Sequence, residues 1–600
     1  MKNNYLIIMP RTVTIVGEGY FFPLGIAYVS SAMKAAGLNV FSLNLNHIDG
    51  NIDDIIKKEI LINKIDVVMT GGLSSQFNSL KRIIDCVKQN FSNIKVVLGG
   101  GIISADPQTA MSAFENADFG VIGEGEITSV ELCKALDSNV GVTNISGIIY
   151  YANGWVETKP VDDISDLDAL PFPDYDGFGL NHFLELPLMS NLNSAATRSF
   201  YMVGSRSCPY QCTFCFHTAG KRYRQRSIGS IKAEMELLVH KYGVNHIFFS
   251  DELFARKKDR VTAIVEIAKE LDITWGSNFR IDDINEELIN IIKDGNCTIM
   301  GLGLESADNQ ILRSMKKNIT IEQIDKALYM IHNSGIPYTG NFIFGDVEET
   351  IETVERTLEY WEKHTEYAIW LTFIIVYPGT KLYQYALSNG IINDAVQFLK
   401  DGCPQVNVSK ISDEDLPKLT EKILEMEADK LPKVKDIELL SWDVSGRMKI
   451  RGTCVKCNHG NIWENLKLLV ASNWLYCTSC SQKHMVPFPE ELKDSFIRKF
   501  LNIKNMKDKI GLWGISYYTI GLFRENEIFK GDNIFFIDNA SAKQNIMIHD
   551  KKVSSPDILI TENIGTVIFF YTSSIIATVA DEIQEKYPHV TKFYKIFDLL

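Results

Sequence analysis

Along residues 1–160, short apolar runs alternate with stretches in which apolar residues recur every three or four positions, the pattern of strand and helix in turn. Strands are predicted at Tyr5–Met9, Asn39–Leu43, Asp66–Met69, Lys95–Leu98, Phe119–Ile122 and Gly147–Tyr151. Helices are predicted at Gly25–Ala36, Asp53–Ile62, Ser79–Asn90 and Thr128–Leu136. This alternation predicts an α/β domain built on a doubly wound parallel sheet. Three strands run into glycine, at Gly71-Gly72, Gly99-Gly100-Gly101 and Gly123-Glu124-Gly125-Glu126. Glycine there lets backbone approach a ligand at the carboxyl edge, where open α/β sheets bind cofactors.

An acidic, proline-punctuated segment follows (Asp162, Asp163, Asp166, Asp168, then Pro171, Pro173, Pro187) and reads as a linker over 161–195. A second βα series occupies 196–410. Its strands are predicted at Ser199–Gly204, His246–Ser250, Thr274–Asn278, Thr298–Gly303, Tyr338–Phe344 and Trp370–Val376. Six βα units suggest a partial or full (β/α) TIM-type barrel. Beyond it, Asp413–Leu431 reads as a helical bridge within 411–440, a compact cysteine-bearing module covers 441–490, and a last βα series fills 505–600. A chain of 600 residues exceeds what one core holds, so several domains are expected.

Charge removes one class of partner. Lys+Arg 61 against Asp+Glu 75 leaves a net charge of −14, which offers no basic footprint for nucleic acid. No apolar run reaches the ~18 residues of a membrane span and no signal peptide is visible, so the expectation is a cytoplasmic protein without a membrane. In that reducing setting eleven cysteines predict metal sites where they cluster. Cys86, Cys133, Cys297 and Cys403 stand alone and read as packing.

Cys208, Cys212 and Cys215 form C-x3-C-x2-C directly after the first barrel strand. Three thiolates are one fewer than saturate a four-iron cluster, so one iron stays open to a small molecule. A structural zinc would need a fourth ligand, for which His217 lies nearby. The loop resembles that of the radical S-adenosylmethionine (AdoMet) enzymes, whose unique iron binds the amino and carboxylate groups of AdoMet. Phe214 fits the family's aromatic position near the adenine. Phe249-Ser-Asp251-Glu252 is similar to the acidic site for the methionine ammonium. Trp275-Gly-Ser277-Asn-Phe-Arg280 resembles the ribose and carboxylate contacts of the next strand. Gly301-Leu-Gly303-Leu-Glu305-Ser306 with Met315-Lys-Lys317 is like the segment of the cobalamin-linked subgroup. Gly345-Asp-Val-Glu-Glu-Thr lacks the usual proline, and Tyr377-Pro378-Gly379-Thr380 matches the usual end of strand six.

Ahead of that barrel, Pro23-Leu24-Gly25, Gly71-Gly72-Leu73-Ser74 with Gln76, Gly99-Gly100-Gly101 and Gly123-Glu124-Gly125-Glu126 resemble the cobalamin-binding domain of the same subgroup, the class B radical AdoMet methyltransferases. The Asp-x-His-x-x-Gly motif that places histidine under cobalt is absent, since His47 is followed by Ile48-Asp49-Gly50. The resemblance therefore implies a cobalamin without a histidine lower ligand, with Leu73–Gln76 beside its lower face. A domain that kept the sheet and lost the corrinoid is the plainer alternative.

Cys454-x2-Cys457, nineteen residues, then Cys477-x2-Cys480 has the spacing of tetrahedral zinc on two knuckles, and the flanks resemble a zinc ribbon. An auxiliary iron–sulfur cluster is the rival. The tail opens Gly511-Leu-Trp-Gly514 and reaches Asp538 after a second strand, resembling a Rossmann-like domain. Its spacing is not G-x-G-x-x-G and Trp513 is expected to crowd a pyrophosphate, so a cofactor-free interaction domain fits equally.

Together the resemblances imply a 4Fe-4S cluster, AdoMet and cobalamin, with zinc at the second cysteine group. They imply methylation of an unactivated carbon of a small or carrier-bound metabolite, through a 5′-deoxyadenosyl radical and methylcobalamin, with an external electron donor. Two alternatives stay open: radical rearrangement or oxidation without methyl transfer, and a zinc-bearing scaffold with a degenerate barrel.

Overall fold

The computed structural model describes residues 2–599 except 14, 15, 18, 187–197, 221, 255, 256, 443–446, 468–473, 488, 505–507, 571–582, 584 and 585. The chain forms two compact units. One holds Met1–Leu186, Arg198–Ile273 and Ile375–Cys403, and the other holds Thr274–Ile374 and Pro404–Leu600.

In the first unit, β1 (Asn4–Met9), β2 (Asn39–Asn44), β3 (Val67–Gly71), β4 (Lys95–Gly99), β5 (Phe119–Val121), β6 (Ile148–Tyr151) and β7 (Trp155–Glu157) form one sheet in the order β2-β1-β3-β4-β5-β6-β7. β1 to β5 run parallel. Tyr5–Met9 is buried on both faces, which is why this strand reads as an unbroken apolar run. The sequence left β6 within a parallel sheet, but it pairs antiparallel with β5 and then with β7. After β6, Asn153 and Gly154 take positive φ of 59° and 138°, so the chain turns straight back into β7 as a hairpin. The strand order reverses at β1, the switch point beside which open sheets of this class bind ligands past the strand ends.

The four expected helices form at Leu24–Ala35, Ile52–Asn63, Phe77–Asn90 and Gly125–Ser138. The second starts where the Asn51 side chain accepts from the Asp53 and Asp54 amides, with both acids favourably placed in the first turn. Two short helices, Gly101–Ala105 and Pro107–Ala113, were not foreseen; Asp106 caps the second, with Pro107 in its first turn. The expected linker is well packed over its described part. Tyr175, Phe178 and Leu180 are buried, and Asp174 accepts from Ser30 and Ser42 and pairs with Lys34 at 2.5 Å. Its remainder, with Pro187, lies outside the described residues.

The same unit carries β8 (Ser199–Met202), β9 (Ser205–Arg206), β10 (Arg224–Gln225) and β11 (His246–Phe249). β8 pairs parallel with β11, and β9 antiparallel with β10.

In the second unit, β12 (Thr274–Phe279), β13 (Cys297–Glu305), β14 (Tyr338–Phe344) and β15 (Ile369–Phe373) pair in parallel in chain order. Consecutive neighbours with helices between them are the wall of a barrel rather than a doubly wound sheet. The helix Leu416–Lys430 follows. The cysteine module begins earlier than its sequence boundary of 441: β16 (Lys435–Trp442), β17 (Arg447–Thr453) and β18 (Gly460–Lys467) form an antiparallel sheet, and β19 (Trp474–Tyr476) pairs with β20 (Lys483–Met485). A further unforeseen helix, Glu490–Lys504, buries Leu492, Phe496, Phe500 and Ile503. Last come β21 (Ile510–Trp513), β22 (Ile534–Ile537), β23 (Met547–Ile548), β24 (Lys551–Ser554), β25 (Thr566–Phe569) and β26 (Lys592–Lys595), ordered β23-β24-β22-β21-β25-β26. All neighbours in it are parallel except β23 and β24. Among the described residues no helix is long and apolar enough to cross a membrane.

Candidate functional site

The three-cysteine loop is the connection between β9 and β10, closed by the Arg206–Arg224 and Ser205–Gln225 pairs. Ser207 takes a positive φ of 65° at its start, and its hydroxyl donates to the Gly220 carbonyl at 2.9 Å across the loop. Cys208, Cys212 and Phe214 are half-buried and Cys215 is exposed. The Cys215 amide reaches the Cys212 carbonyl at 3.3 Å, and the Leu382 amide reaches Thr213 at 3.2 Å.

Phe216, which the sequence did not single out, marks where this loop meets the sheet. A Cβ on Gly379 would stand 2.5 Å from its ring, and one on Gly101 would stand 3.6 Å from the ring and 2.8 Å from Leu73 Cδ2. Gly101 is at the carboxyl edge of the sheet, just past β4, and Gly379, at φ 85°, belongs to the turn after buried Pro378. Tyr383, just beyond that turn, donates to Asp106 at 3.3 Å. The thiol loop, the strand-six turn and the sheet edge therefore share one packed wall.

Asp251 and Glu252 separate in role. Asp251 is buried, accepting from the Gly204 amide and the Ser205 hydroxyl at 2.7 Å each. Burial pushes its carboxyl up to about 6 although these bonds and Arg260 oppose the shift. It holds the start of the thiol loop. Glu252 reaches His217 Nδ1 at 2.6 Å, and that contact raises the histidine above its ordinary value.

At the sheet edge the glycines answer first to the protein's own backbone. A Cβ on Gly71 would meet the Gly99 carbonyl at 2.8 Å, and one on Gly100 would meet the Gly72 carbonyl at 2.7 Å. Gly72 donates to Gly99 and Ile102 to Gly72, so β3 and β4 stay in contact past their ends. Gly25, at the start of the first helix, has open space where a Cβ would lie. Leu73 is 51% exposed, while Ser74 is buried and the Gln76 side chain accepts from the Leu73 amide at 2.9 Å. Gly123 takes φ 80°, and Glu124 and Glu126 are buried in ion pairs. His47 is spent inside the fold: its Nε2 lies 2.8 Å from the Tyr20 hydroxyl, and burial lowers it to about 4. An apolar, exposed Leu73 and an occupied His47 fit a corrinoid carried without histidine ligation, and three thiols on one short loop fit a cluster with an open iron.

In the second unit the remaining candidates lie at the carboxyl ends of the barrel strands. Ser277 is buried on β12. Arg280 bonds Asp282 at 2.8 Å and the Lys317 carbonyl at 3.0 Å. Glu305 ends β13 with φ 67° and pairs with buried Lys317 at 2.5 Å; a Cβ on Gly303 would fall on both of their charged ends. Positive φ at a non-glycine residue is a strained arrangement of the kind that clusters at sites. Gly345, at φ 112°, donates to Glu349, whose other carboxylate oxygen is buried without a partner. Burial pushes Glu349 up to about 8.

The second cysteine group is closed. The sulfurs of Cys454, Cys457, Cys477 and Cys480 lie within 4.8 Å of one another, and Lys456 and Ser479 amides point at Cys454 and Cys477 from 3.3 and 3.4 Å. Asn458 and Ser481, at φ 58° and 55°, turn each knuckle. This module rests on the amino-terminal side of the barrel strands: Tyr476 donates to the carbonyl of Tyr338, the first residue of β14, at 2.5 Å, and Gln482 to Glu366 at 3.2 Å. Lys483 is buried with its ammonium 3.8 and 4.1 Å from the ring centres of Trp370 and Trp474. In the tail, Trp513 does not crowd the first turn. It is buried against Phe569, Ile537 and Val567, and Asp538 accepts from the Ile515 amide of that turn at 2.9 Å.

Comparison with known proteins identifies the family. The model of the Radical SAM superfamily matches residues 202–360 and that of the B12 binding domain residues 10–133. The uncharacterized methyltransferase PH0819 of Pyrococcus horikoshii is 32% identical over 381 residues, spanning 62% of this chain and 79% of the relative. The anaerobic magnesium-protoporphyrin IX monomethyl ester cyclase of Rubrivivax gelatinosus is 28% identical over 355 residues, 56% of this chain and 61% of the relative. Among solved structures, the radical AdoMet methyltransferase TsrM from Kitasatospora setae, bound to tryptophan and an AdoMet analogue, shares the fold with TM-score 0.54 at 19% identity, covering 64% of this chain and 76% of that one. The chain thus belongs to the cobalamin-dependent radical AdoMet enzymes, among their methyltransferase-like members, whose cofactors are AdoMet, a 4Fe-4S cluster and cobalamin.

Proposed function

We propose that this enzyme methylates an unactivated carbon of a small or carrier-bound metabolite. The observation that carries the reading is Phe216, which sets the thiol loop against the sheet edge at Gly101, so the anchors of both cofactors share a wall. Bound there, the cluster with AdoMet supplies one-electron chemistry and the corrinoid a transferable methyl group.

The chain's own part is holding and orienting. Cys208, Cys212 and Cys215 hold three irons, and Asp251 fixes the start of their loop through Gly204 and Ser205. Glu252 offers a carboxylate for the methionine ammonium, Phe214 a face for adenine, and Ser277, Arg280 and Glu305 polar groups for the ribose and carboxylate. Gly345 and Pro378 are further AdoMet candidates by the family resemblance. Leu24, Gly25, Gly71, Gly72, Leu73, Ser74, Gln76 and Gly99–Gly101 would shape the corrinoid cradle, with Gly123 and Gly125 at its rim. An external donor delivers the electron.

The four-cysteine module is assigned as a zinc-ribbon-like brace. Its seat against Tyr338 and Glu366, at the start of barrel strands, supports bracing over substrate binding. The tail is assigned as a Rossmann-like domain without a nucleotide, because Asp538 already bonds its own turn.

The test is anaerobic purification after growth with cobalamin. The account expects a corrinoid spectrum, 5′-deoxyadenosine on reduction with AdoMet, and a +14 product. Similarity to the Rubrivivax cyclase favours a second outcome, radical oxidation or cyclisation, which would give 5′-deoxyadenosine without a +14 product.

A further inference from the structure

A buried four-charge network joins the two cofactor regions of the first unit. Glu124 and Glu126 stand at the turn after β5 and in the first turn of the helix it leads into. Arg206 and Arg224 stand on β9 and β10, the two strands that close the thiol loop. Arg206 reaches Glu124 at 2.6 Å with one nitrogen and Glu126 at 2.5 Å with the other. Arg224 reaches the second oxygen of Glu124 at 2.6 Å. The side chains are 3% (Glu124), 5% (Glu126), 10% (Arg206) and 5% (Arg224) exposed, so water does not loosen these contacts. Backbone completes the set: the Ile164 amide donates to Glu124 at 2.7 Å, and Arg224 donates to Ile164 and Ala219 carbonyls at 2.7 and 2.5 Å. The face of Tyr28 lies 5.2 Å from the Arg206 guanidinium.

We infer that this network is a clamp that sets the spacing between the corrinoid edge and the cluster loop, and that Glu124, Glu126, Arg206 and Arg224 are positioning residues. Two positive and two negative charges cancel inside the fold. A buried ion pair adds little stability over well-packed apolar groups, but its fork geometry admits one register. The guanidinium of Arg206 is planar and bridges two carboxylates on different turns, so the hairpin cannot slide along the sheet edge without breaking a buried pair. A reaction that needs two cofactors at one carbon atom is sensitive to displacements of the order of 1 Å. The carboxylates of Glu124 and Glu126 thus act through the arginines rather than on the corrinoid.

The inference rests on the proposed placement of the corrinoid and the cluster. Its test is the electron paramagnetic resonance spectrum of the full-length holoenzyme with cob(II)alamin and the reduced cluster present together, read as their spin–spin splitting. Glu126→Gln and Arg206→Lys are expected to retain iron and cobalamin, and to broaden that splitting beyond its wild-type width as the spacing becomes heterogeneous. Lys400→Ala, which breaks the peripheral Lys400–Glu115 pair, is the control expected to keep the wild-type splitting. If Arg206→Lys fails to fold, Glu126→Gln, which keeps the Glu124 pairs, decides alone. Unchanged splitting in Glu126→Gln overturns the clamp, and so does loss of cobalamin from a folded Glu126→Gln protein, which would make the carboxylate a cofactor contact. Absence of either paramagnet from wild type would instead remove the cofactor placement itself.

Discussion

The two cysteine groups differ in what they leave open. Cys208, Cys212 and Cys215 sit half-buried or exposed on one loop whose ends are pinned by Asp251, Arg206 and Arg224. Cys454, Cys457, Cys477 and Cys480 come from two knuckles, and their sulfurs converge within 4.8 Å with amides pointing at them. Three thiolates on a pinned loop leave a coordination position for chemistry, and four converging ones leave none. On the proposed reading, cysteine count and closure, more than cysteine presence, separate a reacting centre from a brace.

The largest expected effect falls on the open group: Cys212→Ala should lower 5′-deoxyadenosine formation to background, measured by chromatography after reduction with AdoMet. Cys477→Ser should lose the module's metal and destabilise the second unit by several kcal/mol, seen as a lower Tm while iron is kept. If the two variants behaved alike, the contrast would fail.

A subtler contrast concerns buried charge. Glu349, at the strand ends, has an unpaired buried oxygen and is pushed up to about 8 from an ordinary 4.5. The folded state therefore holds a proton that the unfolded chain has released. This group's contribution is full below pH 4.5 and is lost as pH rises toward 8, at no more than about 1.4 kcal/mol per pH unit. Glu349→Gln should remove that slope, so the stability of the variant relative to wild type rises across this window in denaturant titrations. By contrast, Arg524→Ala, which breaks half-exposed pairs with Glu421 and Glu425, should cost about 1 kcal/mol or less.

Much of this was legible along the chain. β1 to β5 and the barrel strands are apolar runs at regular spacing, and the cysteine spacings single out the two groups, of which the structure brings the sulfurs of the second together. β7 escaped because three residues, Trp155–Glu157, carry too little pattern, and the hairpin depends on a backbone turn at Asn153–Gly154. The clamp escaped because it pairs residues 82 and 100 positions apart, which no local periodicity records. Trp513 was misplaced because an aromatic in a glycine turn suggests obstruction, whereas the strand's pleat carries it into the core.

The central claim is tested most directly by iron and zinc analysis of anaerobically purified protein in which Cys208, Cys212 and Cys215 are all alanine. The account predicts that iron disappears and about one zinc per chain remains, the number four closed thiolates hold. Iron retained at the level of a cluster, with zinc absent, would place iron–sulfur chemistry at the second group and contradict it.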